Sequence, residues 1–237
     1  MKRINLALLL SIALISLHAC HKVIGHGPVV TENRTVSGFT SISFGVPGDM
    51  YYTQDSVYKM EIQAQENILR EIETYMSGNE LKIRVRNHVH LRPGEDIRIV
   101  IHAPLVTGLA LTGSGNLKVL QAYRPSTAKF NVSGSGTMTI NQLETNNIDA
   151  TVSGSGELLV LNGISKQEEA TISGSGEIDL LGIISNKANT HISGSGSVKL
   201  HVTQELNNKI SGSGKVYYRG SPVVNSTISG SGRVVRL

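Results

Sequence analysis

The chain has 237 residues, 39% hydrophobic and 17% charged, with no tryptophan and three phenylalanines. That composition suits a globular or solenoidal body and excludes a disordered one. The formal charge of +4 falls to +2 once Lys2 and Arg3 leave with a leader, which is too weak for nucleic-acid binding. The single cysteine, Cys20, excludes an intrachain disulfide and a cysteine-based zinc site.

Residues 1–19 open with Lys2 and Arg3, continue through the apolar run Leu6 to Leu17 and end in Leu17-His18-Ala19. This is the layout of a secretory signal peptide, and its apolar run is shorter than the roughly 20 residues that span a bilayer. With Leu17 three before and Ala19 one before the cysteine, the end of the segment resembles the bacterial lipobox. That resemblance implies that Cys20 is lipidated and becomes the first residue of an exported protein. The protein would then be anchored by lipid in the cell envelope, at the outer membrane of a Gram-negative bacterium, facing periplasm or exterior. Several acyl chains anchor stably where one alone is marginal. Residues 20–32, with Gly25, Gly27 and Pro28, read as a short tether.

From residue 33 to 105 the pattern is of strands. Ser41 to Phe44 and Met50 to Thr53 flank the turn residues Gly45-Val46-Pro47-Gly48, and Tyr58, Met60, Ile62 and Ala64 alternate with polar neighbours. Glu66 to Glu73 is compatible with a helical turn. Ser77-Gly78-Asn79 predicts a hairpin into Leu81, Ile83 and Val85. A polar loop, His88 to Gly94, precedes the alternation of Ile97, Ile99 and Ile101, which Pro104 ends.

The remainder, 106–237, repeats itself. Gly-Ser-Gly recurs with its first glycine at 113, 134, 154, 174, 194, 212 and 230, in steps of 21, 20, 20, 20, 18 and 18 residues. A period near 20 marks a solenoid, because units of that length cannot bury an apolar face alone and must stack. Apolar residues fall two and four after the second glycine, as in Leu158 with Val160 and Ile178 with Leu180. Another column, Leu111, Val132, Val152, Ile172, Ile192, Ile210 and Ile228, lies two before the first glycine. Period-2 spacing places these columns inward. Four before that glycine come Leu109, Phe130, Ala150, Ala170, Thr190, Asn208 and Ser226, mostly small residues for a narrow core. The flanking glycines allow positive φ and close approach of coils, and the serines can form hydroxyl ladders up the corner. An exposed edge at the last coil suggests a homo-oligomer through the solenoid ends.

Several segments together resemble one known family: Arg34 to Ile42, Gln65 to Asn67 with Ile72 to Thr74, Leu81 to Arg84, Ala103 to Leu105 and Leu109 to Gly115, followed by the Gly-Ser-Gly ladder. They resemble the head GIN domain family of "putative auto-transporter adhesins". The resemblance spans most of 33–237 and implies a right-handed parallel β-helix, continuous from the N-terminal β-rich part, with a non-enzymatic role as an adhesin or binding scaffold.

The ladder itself lacks the Gly-Lys-Ser/Thr of a phosphate-binding loop. The residues after it (Asn116, Thr137, Glu157, Glu177, Ser197, Lys215, Arg233) do not align carboxylates for calcium. His88 and His90 are two ligands where a metal site needs more. No cofactor is expected. The alternative to a scaffold is a polysaccharide-binding or polysaccharide-degrading β-helix. Its outward face would carry Glu157, Glu177 and Asp179, with adjacent coils about 4.8 Å apart, near the spacing of a retaining glycosidase pair. Lys199, one coil on, would offset that charge. Tyr217 and Arg219 are further contact candidates, since both types are enriched in binding hot spots. The partner would be a glycan or an envelope protein.

Overall fold

The computed structural model describes residues 21–237. The expected signal peptide and Cys20 lie outside them. The body is nearly all β, a solenoid of about six turns.

Two parallel stacks meet at the Gly-Ser-Gly corner. The first holds β3 (Ser41–Gly45), β10 (Gly108–Gly113), β12 (Thr127–Gly134) and β14 (Asn147–Gly154). It continues through the second halves of the long strands β15 (Glu157–Gly174), β16 (Glu177–Gly194) and β17 (Ser197–Gly212) to β19 (Val223–Gly230). The second stack holds β4 (Asp49–Gln54), β11 (Asn116–Tyr123), β13 (Thr137–Glu144), the first halves of β15, β16 and β17, then β18 (Lys215–Arg219) and β20 (Arg233–Arg236). Equivalent residues pair directly, so Ser153 faces Ser173, and Ser173 faces Ser193. The apolar columns read from the sequence therefore become continuous, and Leu158, Ile178, Val198, Val152, Ile172 and Ile192 are fully buried. In the final coil described the same column is less covered, with Ile228 41% exposed.

From the second Gly-Ser-Gly onward, both glycines of each corner lie close against the preceding coil, and the first also needs a left-handed backbone. Gly174 has φ +125°, a conformation L side chains avoid. Gly176 is needed for approach, since a Cβ there would lie 2.5 Å from both the Gly156 carbonyl oxygen and Val152 Cγ1 of the preceding coil. The expected serine ladder is corrected here. The central serines are joined through their backbone, Ser175 N–H donating to Gly154 O (2.8 Å) and Ser195 N–H to Gly174 O (2.9 Å). Among the described residues their hydroxyls face solvent without a protein hydrogen bond. The change of step from 20 to 18 residues falls on the third side of the coil. There the register jumps from Leu180 opposite Leu200 to Ile184 opposite His201.

The N-terminal part is stacked out of chain order. β7 (Glu80–Val85) pairs in parallel with β3, and β9 (Arg98–Ala103) with β4, so residues 80–103 lie on the far side of 41–54 from β10 and β11. Antiparallel strands border that end: β5 (Lys59–Gln65) on β9, β2 (Val29–Asn33) on β5, and β6 (Ile72–Ser77) on β7. The helical turn is α1 (Glu66–Leu69), whose Ile68 and Leu69 are buried. Arg34 fixes β2 to this end by donating to Ile72 O (2.7 Å), Thr74 Oγ1 (2.6 Å) and Leu69 O (3.2 Å).

Two segments differ from the sequence reading. The stretch expected as a tether, 20–32, carries β1 (His21–Ile24) and β2, and the stretch expected as a polar loop, 88–94, carries β8 (Val89–Arg92). β1 and β8 form a separate parallel ribbon. Its apolar residues are too few to announce strands, and the pairing comes from long-range contacts instead. Gln65 bridges the two segments, donating to Gly27 O (2.9 Å) and accepting from Gly94 N–H (3.0 Å).

Candidate functional site

The outward positions of the second stack form a strip along the rod. One row runs Arg98, Asp49, Asn116, Thr137, Glu157, Glu177, Ser197, Lys215, Arg233, and the row beside it Val100, Tyr51, Lys118, Thr139, Leu159, Asp179, Lys199, Tyr217, Val235. Alternation across the pleat keeps both rows off the core.

Four of the expected site residues fall on this strip. Glu157 and Glu177 face each other in register. Glu177 and Asp179 are joined by Lys199, whose Nζ lies 2.5 Å from Glu177 Oε1 and 3.3 Å from Asp179 Oδ2. Ser197 Oγ donates to the other Glu177 oxygen (2.9 Å), and Asp179 Oδ1 accepts from Leu181 N–H (3.0 Å). The Glu177 hydrogen bond, followed by that of Asp179, holds the Lys199 ammonium above its usual range against the opposing effect of burial. Both carboxylates thus have partners that fix their positions on the strip. Tyr217 lines an open groove of about 500 Å³ beside this cluster, with Glu177, Lys199, Lys215 and Leu237. Arg219 is exposed, paired in register with His201 and outside that groove.

At the other end of the strip the corner closes into a cleft of about 340 Å³, lined by Pro47, Gly48, Asp49, Tyr51, Pro93, Asp96, Arg98 and Asn116 among others. Asp49 is its best-held group. Oδ1 accepts from Asn116 Nδ2 (2.8 Å), while Oδ2 accepts from Lys118 Nζ (2.8 Å) and the Tyr51 hydroxyl (3.0 Å). Burial pushes its pKa up, but these three donors outweigh it and hold the carboxyl below its ordinary value. The Arg98 guanidinium lies 4.6 Å from the Tyr51 ring centroid, and Lys118 Nζ 5.4 Å from it, distances of cation–π contact.

The sequence reading took 45–48 only as a turn and missed that Val46-Pro47-Gly48 occupies the Gly-Ser-Gly position. Pairing of Phe44 with Leu111 and of Asp49 with Asn116 makes the equivalence direct. The signal was present: Ile42 and Phe44 lie four and two before Val46, and Met50 and Tyr52 two and four after Gly48. All four are fully buried.

A second missed residue is Glu168. It lies six before Gly174, in an inward column with Ile148 on one side and Ala188 on the other. It is fully buried, and neither carboxyl oxygen has a hydrogen-bond partner. Burial pushes its pKa well above the carboxylate range, and the nearby Ser185 hydroxyl, which donates to His201 O (3.4 Å), offsets little of that. Extending the column alignment by one more inward position exposes it in the sequence.

Among the described residues no group of three or more His, Cys, Asp or Glu side chains is placed to hold a metal ion. Among the described residues no helix is long and apolar enough to cross a membrane.

Comparison with known proteins agrees with this architecture. A crystal structure of a "putative adhesin" from Bacteroides fragilis superposes with a TM-score of 0.83 at 21% identity, covering 91% of this chain and all of the other. A "putative lipid binding protein" from Parabacteroides distasonis gives 0.75 at 25% identity over 91% of this chain and 99% of that one. A "putative adhesin" from Parabacteroides merdae gives 0.73 at 22% over 92% and 99%. These show a shared fold. No curated protein matches the chain. A family model described as "Putative auto-transporter adhesin, head GIN domain" matches residues 38–222, most of the chain, and the chain therefore belongs to that family.

Proposed function

We propose that the protein is a non-enzymatic binding scaffold of the cell envelope, an adhesin held at a membrane through lipid on Cys20, with the outward strip of the second stack as its contact surface. The observation that carries the reading is the state of the acidic cluster. Glu177 and Asp179 are ion-paired to Lys199 and hydrogen-bonded, so the rod presents a fixed arrangement of charge rather than a proton-transfer pair. A preformed strip running along the rod, with Tyr217 among its residues, suits a long partner, a glycan or an extended envelope protein, because preformed surfaces lose little entropy on binding.

The register of Glu157 against Glu177 keeps polysaccharide cleavage as the second reading. A panel of envelope and capsular polysaccharides, incubated with purified full-length protein, separates the two. The scaffold reading expects retention of at least one polymer on the protein with no new reducing ends or unsaturated products. Product formation abolished by Glu157→Gln would overturn it.

A further inference from the structure

The corner cleft departs from the rest of the ladder in a way that asks for a ligand. Over most of the rod the corner is a smooth run of glycines and serines. Here Val46-Pro47-Gly48 replaces Gly-Ser-Gly, and on the neighbouring coil residues 86–97 replace the corner with an excursion that sets Pro93 and Asp96 beside Pro47. The result is a recess of about 340 Å³, at the small end of the range for small-molecule sites.

Its chemistry is balanced. The Asp49 carboxylate is matched by Lys118, and within the cleft the Asp96 carboxylate accompanies the Arg98 guanidinium. Among the described residues neither Asp96 nor Arg98 is engaged in an ion pair, so both have hydrogen-bonding capacity to spare. A net anion or cation gains little from such a site. A ligand that both donates and accepts gains from acceptors at Asp96 and donors at Arg98 and Asn116, in a recess that Pro47 and Pro93 also line. Vicinal hydroxyls on a ring with apolar C–H faces meet that description. We propose that this cleft binds a single neutral pyranose residue of a glycan. The proposal rests on the binding reading above but not on the Glu177 cluster, which lies four coils along the strip, roughly 19 Å away at one interstrand spacing per coil.

The test is saturation-transfer NMR on full-length protein with the methyl glycosides of glucose, galactose, mannose and N-acetylglucosamine, alongside glucosamine as a cationic probe and glucuronic acid as an anionic one. The expected result is transfer to at least one neutral glycoside. Its dissociation constant should rise at least tenfold, about 1.4 kcal/mol, in Asp96→Ala and in Arg98→Ala, and stay unchanged in His191→Ala, an exposed position of the first stack. Both cleft substitutions are at exposed positions, and unchanged thermal melts confirm intact protein. Absence of transfer to every neutral glycoside, transfer to the charged sugars alone, or transfer undiminished in both cleft variants overturns the proposal. Loss in His191→Ala alone overturns it too, while leaving the non-enzymatic reading in place.

Discussion

Replacing Glu168 with glutamine should change how the stability of the solenoid depends on pH. In the native coil the carboxyl is buried among Ile148, Ala188 and the Ser185 hydroxyl, with no hydrogen-bond partner on either oxygen, and burial raises its pKa well above 4.5. The sign follows from linkage. A group protonated in the native state but ionised in the unfolded state releases a proton on unfolding, so rising pH favours the unfolded chain. Its contribution is complete below pH 4.5 and is lost as pH climbs from there toward the native titration. Within that window the loss is about 1.4 kcal/mol per pH unit, roughly 3–6 °C in Tm per unit for a chain of this size. Calorimetric melts of wild type and Glu168→Gln from pH 4 to pH 8 should show the wild-type Tm falling upward through that window, while the variant lacks this component. Superimposable pH profiles would show that the Glu168 pKa is unshifted on folding, and a wild type whose Tm rises relative to the variant with pH would show that it is ionised and paired in the native state; either result refutes the burial argument.

Three other outcomes follow from the same structure. Gly174→Ala should destabilise by about 1–3 kcal/mol from backbone strain plus a clash 2.5 Å from the Gly154 carbonyl oxygen, whereas Gly78→Ala, at φ +59° with open space around it, should cost about 1 kcal/mol. Equal losses in chemical denaturation would refute the added cost of close approach between coils at the corner. Cys20→Ala should move the protein from the detergent phase to the aqueous phase in Triton X-114 partitioning, and retention in the detergent phase would refute lipid anchoring. Tyr52, buried beside Tyr123 and pushed up to about 12 by burial, should not ionise in ultraviolet titration below pH 11 while the fold persists.

The repeat was legible because a parallel solenoid converts sequence period directly into contact. Val152, Ile172 and Ile192 recur in phase with glycine, and that phase is the core column. What the sequence concealed arises from contacts without a local period. The placement of β7 and β9 outside β3 and β4 depends on pairings between residues about 40 to 50 apart. The β1–β8 ribbon pairs segments about 70 residues apart, and Gln65 bridges the stretches that follow its two strands. Val46-Pro47-Gly48 hid because the motif letters changed while the apolar spacing around them did not. On the strip, Glu177 and Asp179 were visible as an outward acidic pair with Lys199 one coil on to offset them, and the structure adds that one ammonium reaches both carboxylates.

The claim that the strip is a contact surface is tested most directly by comparing two double variants for retention on whichever envelope polysaccharide or protein fraction the wild type binds. Lys199→Ala/Tyr217→Ala alters the strip, and Asp149→Ala/His191→Ala alters exposed positions of the first stack. The account predicts at least a tenfold weaker apparent affinity for the first and no change for the second. Equal loss in both, or loss confined to the first-stack variant, would contradict it.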